Sequence, residues 1–273
     1  MKRAGAVLSV IFCGVLGSGV AQAGFVATGS AVSLADLLAS CTGLNCVSSI
    51  TAGDKTFTGF FFTVQGTPTG TVVDDVNGLT VTPGTYTGAT GGPMLGFELG
   101  GQISDTAGET GPAAALDIHF GYVVTASGGP LIEDVGSAFN GACQPTSAGK
   151  TGQCSVSVNE QASGTSADGV WNNQVLATVN IKNPPPNGNL YEDVGLANPN
   201  SPFQSVTVPA LSIFKDISLS AQPLGAGNGS DEAVISSLDQ FFSQTPEPSS
   251  YAFILGVGML ALFYSLRRRS NVS

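Results

Sequence analysis

The stretch Ala115-Leu116-Asp117-Ile118-His119-Phe120-Gly121-Tyr122-Val123-Val124-Thr125 decides the fold. Leu116, Ile118, Phe120, Tyr122 and Val124 fall on one face of an extended chain, and Asp117, His119 and Thr125 on the other. Burying five apolar side chains is worth on the order of 7–15 kcal/mol before chain entropy is subtracted. Similar short runs, separated by turn residues, fill the middle of the chain. Charged residues are only 10 % of the total, and no amphipathic helix of useful length occurs between residues 50 and 230. This pattern predicts an all-β ectodomain built as a β-sandwich or jelly roll.

Working outward, Thr56–Val64 is the most aromatic strand, with Phe57, Phe60, Phe61 and Phe62. Thr71–Val76 and Leu79–Thr82 flank Asn77-Gly78, a hairpin signal. Strands are also expected at Met94–Leu99, Leu131–Val135, Cys154–Gln161, Val175–Lys182, Phe203–Val208 and Leu211–Ala221. In the last of these Lys215 sits in the apolar phase, which suits an edge strand whose lysine blocks further pairing. Pro184-Pro185-Pro186 belongs in a loop or at an edge. Ser33–Ser40 reads as a short helix capped by Ser33. In 231–244, Val234, Ile235, Leu238, Phe241 and Phe242 fit helical spacing better, with a last strand as the alternative. Leu131-Ile132-Glu133-Asp134-Val135-Gly136 is echoed by Leu190-Tyr191-Glu192-Asp193-Val194-Gly195, a candidate duplicated strand–turn in a two-sheet sandwich.

Both ends read as trafficking segments. Met1-Lys2-Arg3, an apolar run and Ala21-Gln22-Ala23 make residues 1–23 a signal peptide, cut after Ala23. Cys13 follows Phe12 where a lipoprotein needs a small residue, so it belongs to the discarded segment. At the other end, residues 249–266 carry no charge; as a helix they rise about 27 Å, close to a bilayer's hydrocarbon core. Arg267, Arg268 and Arg269 follow and mark the cytoplasmic end of a transmembrane helix.

The body between, residues 24–245, holds four lysines, no arginine and eighteen acids, a net charge of −14. That excludes nucleic acid as a partner and disfavours anionic lipid. Its cysteines are Cys41, Cys46, Cys143 and Cys154. An even number in an exported chain reads as disulfides. Three connectivities exist; Cys41–Cys46 and Cys143–Cys154 are favoured because each closes a short loop. Metal is a poor alternative, because neither spacing is C-x-x-C and His119 is the only histidine.

Catalytic signals are sparse. A serine hydrolase would have His119 alone as its base, and no G-x-S-x-G elbow occurs. Gly149-Lys150-Thr151 lacks the glycine a phosphate loop needs at 144, where Gln144 stands. No cofactor is expected. The acidic pairs Asp74-Asp75, Glu133-Asp134, Glu192-Asp193 and Asp231-Glu232 would at most bind Ca²⁺ weakly. Two such carboxylates are also the minimum for a glycosidase. Trp171 with Asn172 and Asn173 is the one candidate sugar platform.

Pro246-Glu247-Pro248, the apolar helix and Arg267 to Arg269 together resemble the PEP-CTERM sorting domain of exported proteins in Gram-negative bacteria. The resemblance covers residues 246–273. It implies export, recognition by an exosortase, a membrane cysteine transpeptidase, and removal of the tail near the triplet. Gly53-Asp54-Lys55-Thr56-Phe57, Ser155–Glu160 and Phe214-Lys215-Asp216-Ile217 are similar to segments of other PEP-CTERM ectodomains. The expected function is a non-catalytic surface or matrix protein associated with exopolysaccharide. A carbohydrate-binding module is the alternative, and a glycan-acting enzyme a third.

Overall fold

The computed structural model describes residues 24–39, 48–67, 76–87, 93–127, 131–145, 154–165, 173–183, 188–198, 200–226, 228 and 230–243. The strands are β1 (Gly24–Ala27), β2 (Val32–Ser33), β3 (Ser49–Ala52), β4 (Lys55–Thr67), β5 (Thr80–Thr87), β6 (Pro93–Ala107), β7 (Ala114–Ala126), β8 (Asp134–Pro145), β9 (Ser155–Gly164), β10 (Gln174–Asn183), β11 (Gly188–Gly195), β12 (Ala197–Asn198), β13 (Ser201–Ser205), β14 (Ala210–Ala221) and β15 (Asp231–Phe242). A single turn of helix, α1 (Leu34–Leu38), begins at Ser33, whose hydroxyl accepts the Ala35 N–H at 3.2 Å. It satisfies one of the first-turn donors that a helix leaves open.

Two antiparallel sheets pack as a sandwich. One has the order β1-β5-β6-β15-β8-β11, with β2 also on β5; the other runs β10-β9-β14-β7-β4-β3. β12 and β13 form a separate ribbon. The chain changes sheet between β2 and β3, β4 and β5, β6 and β7, β7 and β8, β8 and β9, β10 and β11, β11 and β14 by way of the β12–β13 ribbon, and β14 and β15. The expected phase of β7 holds: Leu116, Ile118, Phe120, Tyr122 and Val124 are all buried. Their layer meets Phe97, Leu99 and Ile103 of β6 and Ile235 and Leu238 of β15 in one core. Phe97 lies edge-on to Phe57 at 5.1 Å and to Tyr122 at 5.0 Å, an aromatic knot joining the sheets.

Two expectations need correction. Residues 231–242 are a strand, not a helix, and β15 lies between β6 and β8. Its ladder slips between Ile235 and Ser237, so strict alternation breaks at a bulge. Lys215 is not an edge blocker, since β14 is flanked by β9 and β7 on either side. Its side chain is fully buried and paired with Glu160, which occupies the same inward phase of β9. The echoed hexapeptides meet on paired strands β8 and β11 of one sheet, with Val135 opposite Val194.

Near Asn77-Gly78, Val76–Gly78 is a 3-10 turn leading into β5. The hairpin's first arm, like Pro184 to Pro186, lies outside the described residues. Leu131–Val135 is only partly strand: Ile132 makes an isolated bridge to Val208, and β8 runs on to Pro145, a stretch the sequence did not signal.

The outer face of the seven-stranded sheet carries a second apolar cluster of Tyr86, Met94, Ala138 and Phe241, with Phe25 against it. Tyr86 and Phe241 stack at 4.3 Å. The Phe241 ring covers Gly136, where a Cβ would stand 1.8 Å from Cε2.

Beside this cluster, Asp239 is opposite Glu98 in the ladder. Burial, and then the charge of Glu98, push the Asp239 carboxyl up to about 7. An acid whose pKa rises on folding takes up a proton as it folds, so stability falls as pH climbs from about 4 to about 7, and the penalty is complete above that. Asp239→Asn is expected to flatten this slope. Its gain near pH 8 should be on the order of 2–4 kcal/mol, read from urea unfolding at several pH values.

Candidate functional site

The outer face of the six-stranded sheet gathers the polar phase of its central strands. Register places Gly121 of β7 between Phe61 of β4 and Phe214 of β14. The next row puts His119 between Thr63 and Asp216, with Asn159 of β9 beyond Asp216. The row after that puts Asp117 between Gln65 and Ser218. β9 adds Ser157, Asn159, Gln161 and Ser163 in the same outward phase.

Gly121 is what lets the aromatic pair form. A Cβ there would stand 2.3 Å from Phe61 Cε1 and 2.6 Å from the Ile213 carbonyl. Without one, the rings of Phe61 and Phe214 stack at 6.1 Å. They are 39 % and 38 % exposed, high for phenylalanine, so they offer a flat apolar platform to solvent.

His119 stands beside this platform, 5.2 Å from the Phe214 ring centroid. Its Nδ1 lies 3.3 Å from Gln65 Nε2, and its Nε2 lies 3.8 Å from Asp117 Oδ1. With the Gln65 amide donating, Nδ1 is the acceptor and the neutral ring carries its hydrogen on Nε2, facing the carboxylate. Asp117, His119 and Asp216 each bring one ligand atom within 4.8 Å of the others. The Asp216 carboxyl is raised by partial burial, then by its hydrogen bond to Asp117 and that group's charge; His119 pulls the other way. Imidazole nitrogen with two carboxylate oxygens is a donor set that suits a divalent cation. These three are the residues able to hold one here, and none was among the acidic pairs expected to bind Ca²⁺.

Further along the face a cleft of about 310 Å³ is lined by Val123, Ser163, Thr165, Asn173, Leu211 and Ser212, among others. Asn173 has φ +46°, and its N–H donates to Thr165 Oγ1 at 3.2 Å. Asn173 therefore does line a pocket. Trp171 and Asn172 lie outside the described residues.

Of the acidic pairs, Asp134 is engaged by the Ser243 N–H at 2.6 Å, and Asp231 is fully buried. Glu192-Asp193 lies on β11, and Asp74-Asp75 is outside the described residues. Cys143 faces Ala233 across the β8–β15 ladder, and Cys154 Sγ lies 3.2 Å from the neighbouring Glu232 carbonyl oxygen. Cys41 and Cys46 are outside the described residues, as are residues 1–23, Pro246, Glu247, Pro248, the 249–266 span and Arg267 to Arg269. Among the described residues no helix is long and apolar enough to cross a membrane.

The last strand ends at Phe242, and residues 244–269, directly after it, match the PEP-CTERM protein-sorting motif. The chain carries a PEP-CTERM tail. Such a tail marks an exported protein sorted by an exosortase, and it implies a C-terminal helix. Comparison with curated proteins gave no match. The PEP-CTERM match covers the tail alone, so the role of the body has to be argued from its own face and core.

Proposed function

We propose that this PEP-CTERM protein is a non-catalytic component of the cell surface or extracellular matrix, retained there with exopolysaccharide. The signal peptide exports it, and residues 249–266 hold it briefly in the inner membrane with the arginines in the cytoplasm. The exosortase then releases the body. The observation that carries this reading is the sorting motif set immediately after the closing strand of a folded sandwich. The body's net charge of −14 suits a soluble surface outside the cell and a neutral rather than an anionic polymer. A bridge between Cys143 and Cys154 belongs to the same reading. It is supported by their placement: Cys143 is opposite Ala233 of β15, and Cys154 Sγ lies 3.2 Å from the carbonyl of the adjacent Glu232.

Fractionation of the producing cells tests this. The body is expected in the polysaccharide-bearing matrix, with a mass showing loss of both ends and, for a Cys143–Cys154 bridge, the two hydrogens lost with it. A body found free in the medium, or one that degrades the host polysaccharide, overturns it.

A second reading is favoured by the exposed Phe61–Phe214 platform beside Gln65, His119 and Asn159, which suits stacking against a sugar ring. Here the body is itself a carbohydrate-binding module. Phe214→Ala is expected to weaken retention on a glycan array at least ~10-fold, the equivalent of about 1.4 kcal/mol. If Trp171→Ala does so instead, the contact lies at Trp171, Asn172 and Asn173.

A further inference from the structure

Four buried polar side chains meet in the middle of the sandwich. Lys215 and Glu160 are direct partners across β14 and β9, and both are fully buried. On the facing sheet Ser137 and Gln240 are direct partners across β8 and β15, and both are buried. The pairs touch. Lys215 Nζ donates to Ser137 Oγ at 3.0 Å and contacts Glu160 Oε2. The Gln240 amide donates to the Gly136 carbonyl at 2.9 Å and stands near enough to Glu160 to favour its charged form. Tyr122 of β7 is buried nearby, its hydroxyl pKa raised by burial and then by the charge of Glu160.

We propose that Lys215 and Glu160 condense into an intramolecular amide bond, cross-linking β14 to β9 in the exported protein. An ion pair this deep is costly, because each charge has given up its water. Burial lowers the amine of Lys215 and raises the carboxyl of Glu160, each opposed by its partner's charge. Burial thus favours the neutral pair, a free amine beside a protonated acid, which is the reactive combination. The register already holds the nucleophile against its electrophile, which removes most of the entropy cost of meeting.

The step balances without any co-reactant. The Nζ lone pair attacks Glu160 Cδ. The Gln240 N–H stabilises the oxygen that gains charge, as an oxyanion donor does. The Ser137 hydroxyl takes a proton from the amine and relays it to the departing hydroxyl. The C–N bond forms, the C–OH bond breaks, and one water leaves; nothing is oxidised or reduced.

The test is the intact mass of the full chain made by an exporting host, after complete reduction of its cysteines and with its ends mapped in the same digest. The expected result is a mass lower than the sequence by one water, with a tryptic peptide containing Lys215 joined to the one containing Glu160 and no cleavage after Lys215. Lys215→Arg should abolish both signatures. A full-sequence mass overturns the proposal, as does loss of one ammonia, which would place the link on Gln240. If the variant does not fold, the wild-type peptide map decides alone.

Discussion

Phe97→Ala is expected to lower the unfolding free energy of the body by about 3–5 kcal/mol, the range for emptying a buried aromatic site. Phe97 of the seven-stranded sheet stands among Phe57, Phe60, Phe120 and Tyr122 of the other. Its contacts with Phe57 and Tyr122 are edge-on, the geometry worth about 0.5–1.5 kcal/mol per pair beyond area burial. Their neighbours lie in two different sheets, so the void cannot close by moving one side chain. The matched control is Phe214→Ala, which removes a ring of the same size from the solvent-facing platform and should cost less than about 1 kcal/mol. Denaturant midpoints of the two variants decide it; equal losses would mean that Phe97 does not join the layers.

The second large effect concerns location rather than stability. Replacing Arg267, Arg268 and Arg269 together by Glu should abolish the sorted pool while leaving the body's melting unchanged. Lysine and arginine beside a span fix which end stays in the cytoplasm, and acidic residues contribute little to that orientation. The last ladder residue of β15 is Phe242, and Arg267 follows it by 25 residues in the sequence. Fractionation should show the protein unprocessed or misplaced, with its signal in the matrix fraction gone. Normal sorting of the variant would show that the arginines are dispensable.

How much of this the sequence disclosed depended on whether an element obeyed a single period. β7 was legible because its alternation runs unbroken and one face is apolar throughout. β15 misled for two physical reasons. Its bulge after Ile235 shifts the inward phase by one residue, so Ile235 and Leu238 both point into the core. Phe241 is then buried on the opposite face, against Tyr86. A slipped strand buried on both faces imitates the spacing of a helix. Lys215 was correctly placed in the apolar phase, yet its meaning depended on Glu160, 55 residues earlier and also in an apolar phase. Two polar interruptions in separate strands are the signal that could have predicted the pair. The site on the outer face was half legible. Asp117 and His119 share a face by spacing alone, but only the register brings Asp216 beside them and Phe61 against Phe214.

The placement of the final strand has a consequence for how such a body matures. β15 fills the gap between β6 and β8, and β14 fills that between β9 and β7. A polypeptide threaded outward from its N-terminus must therefore wait, with both layers split open, until its closing segments emerge. The two layers are therefore completed late, by the strands that stand nearest the sorting tail in the sequence.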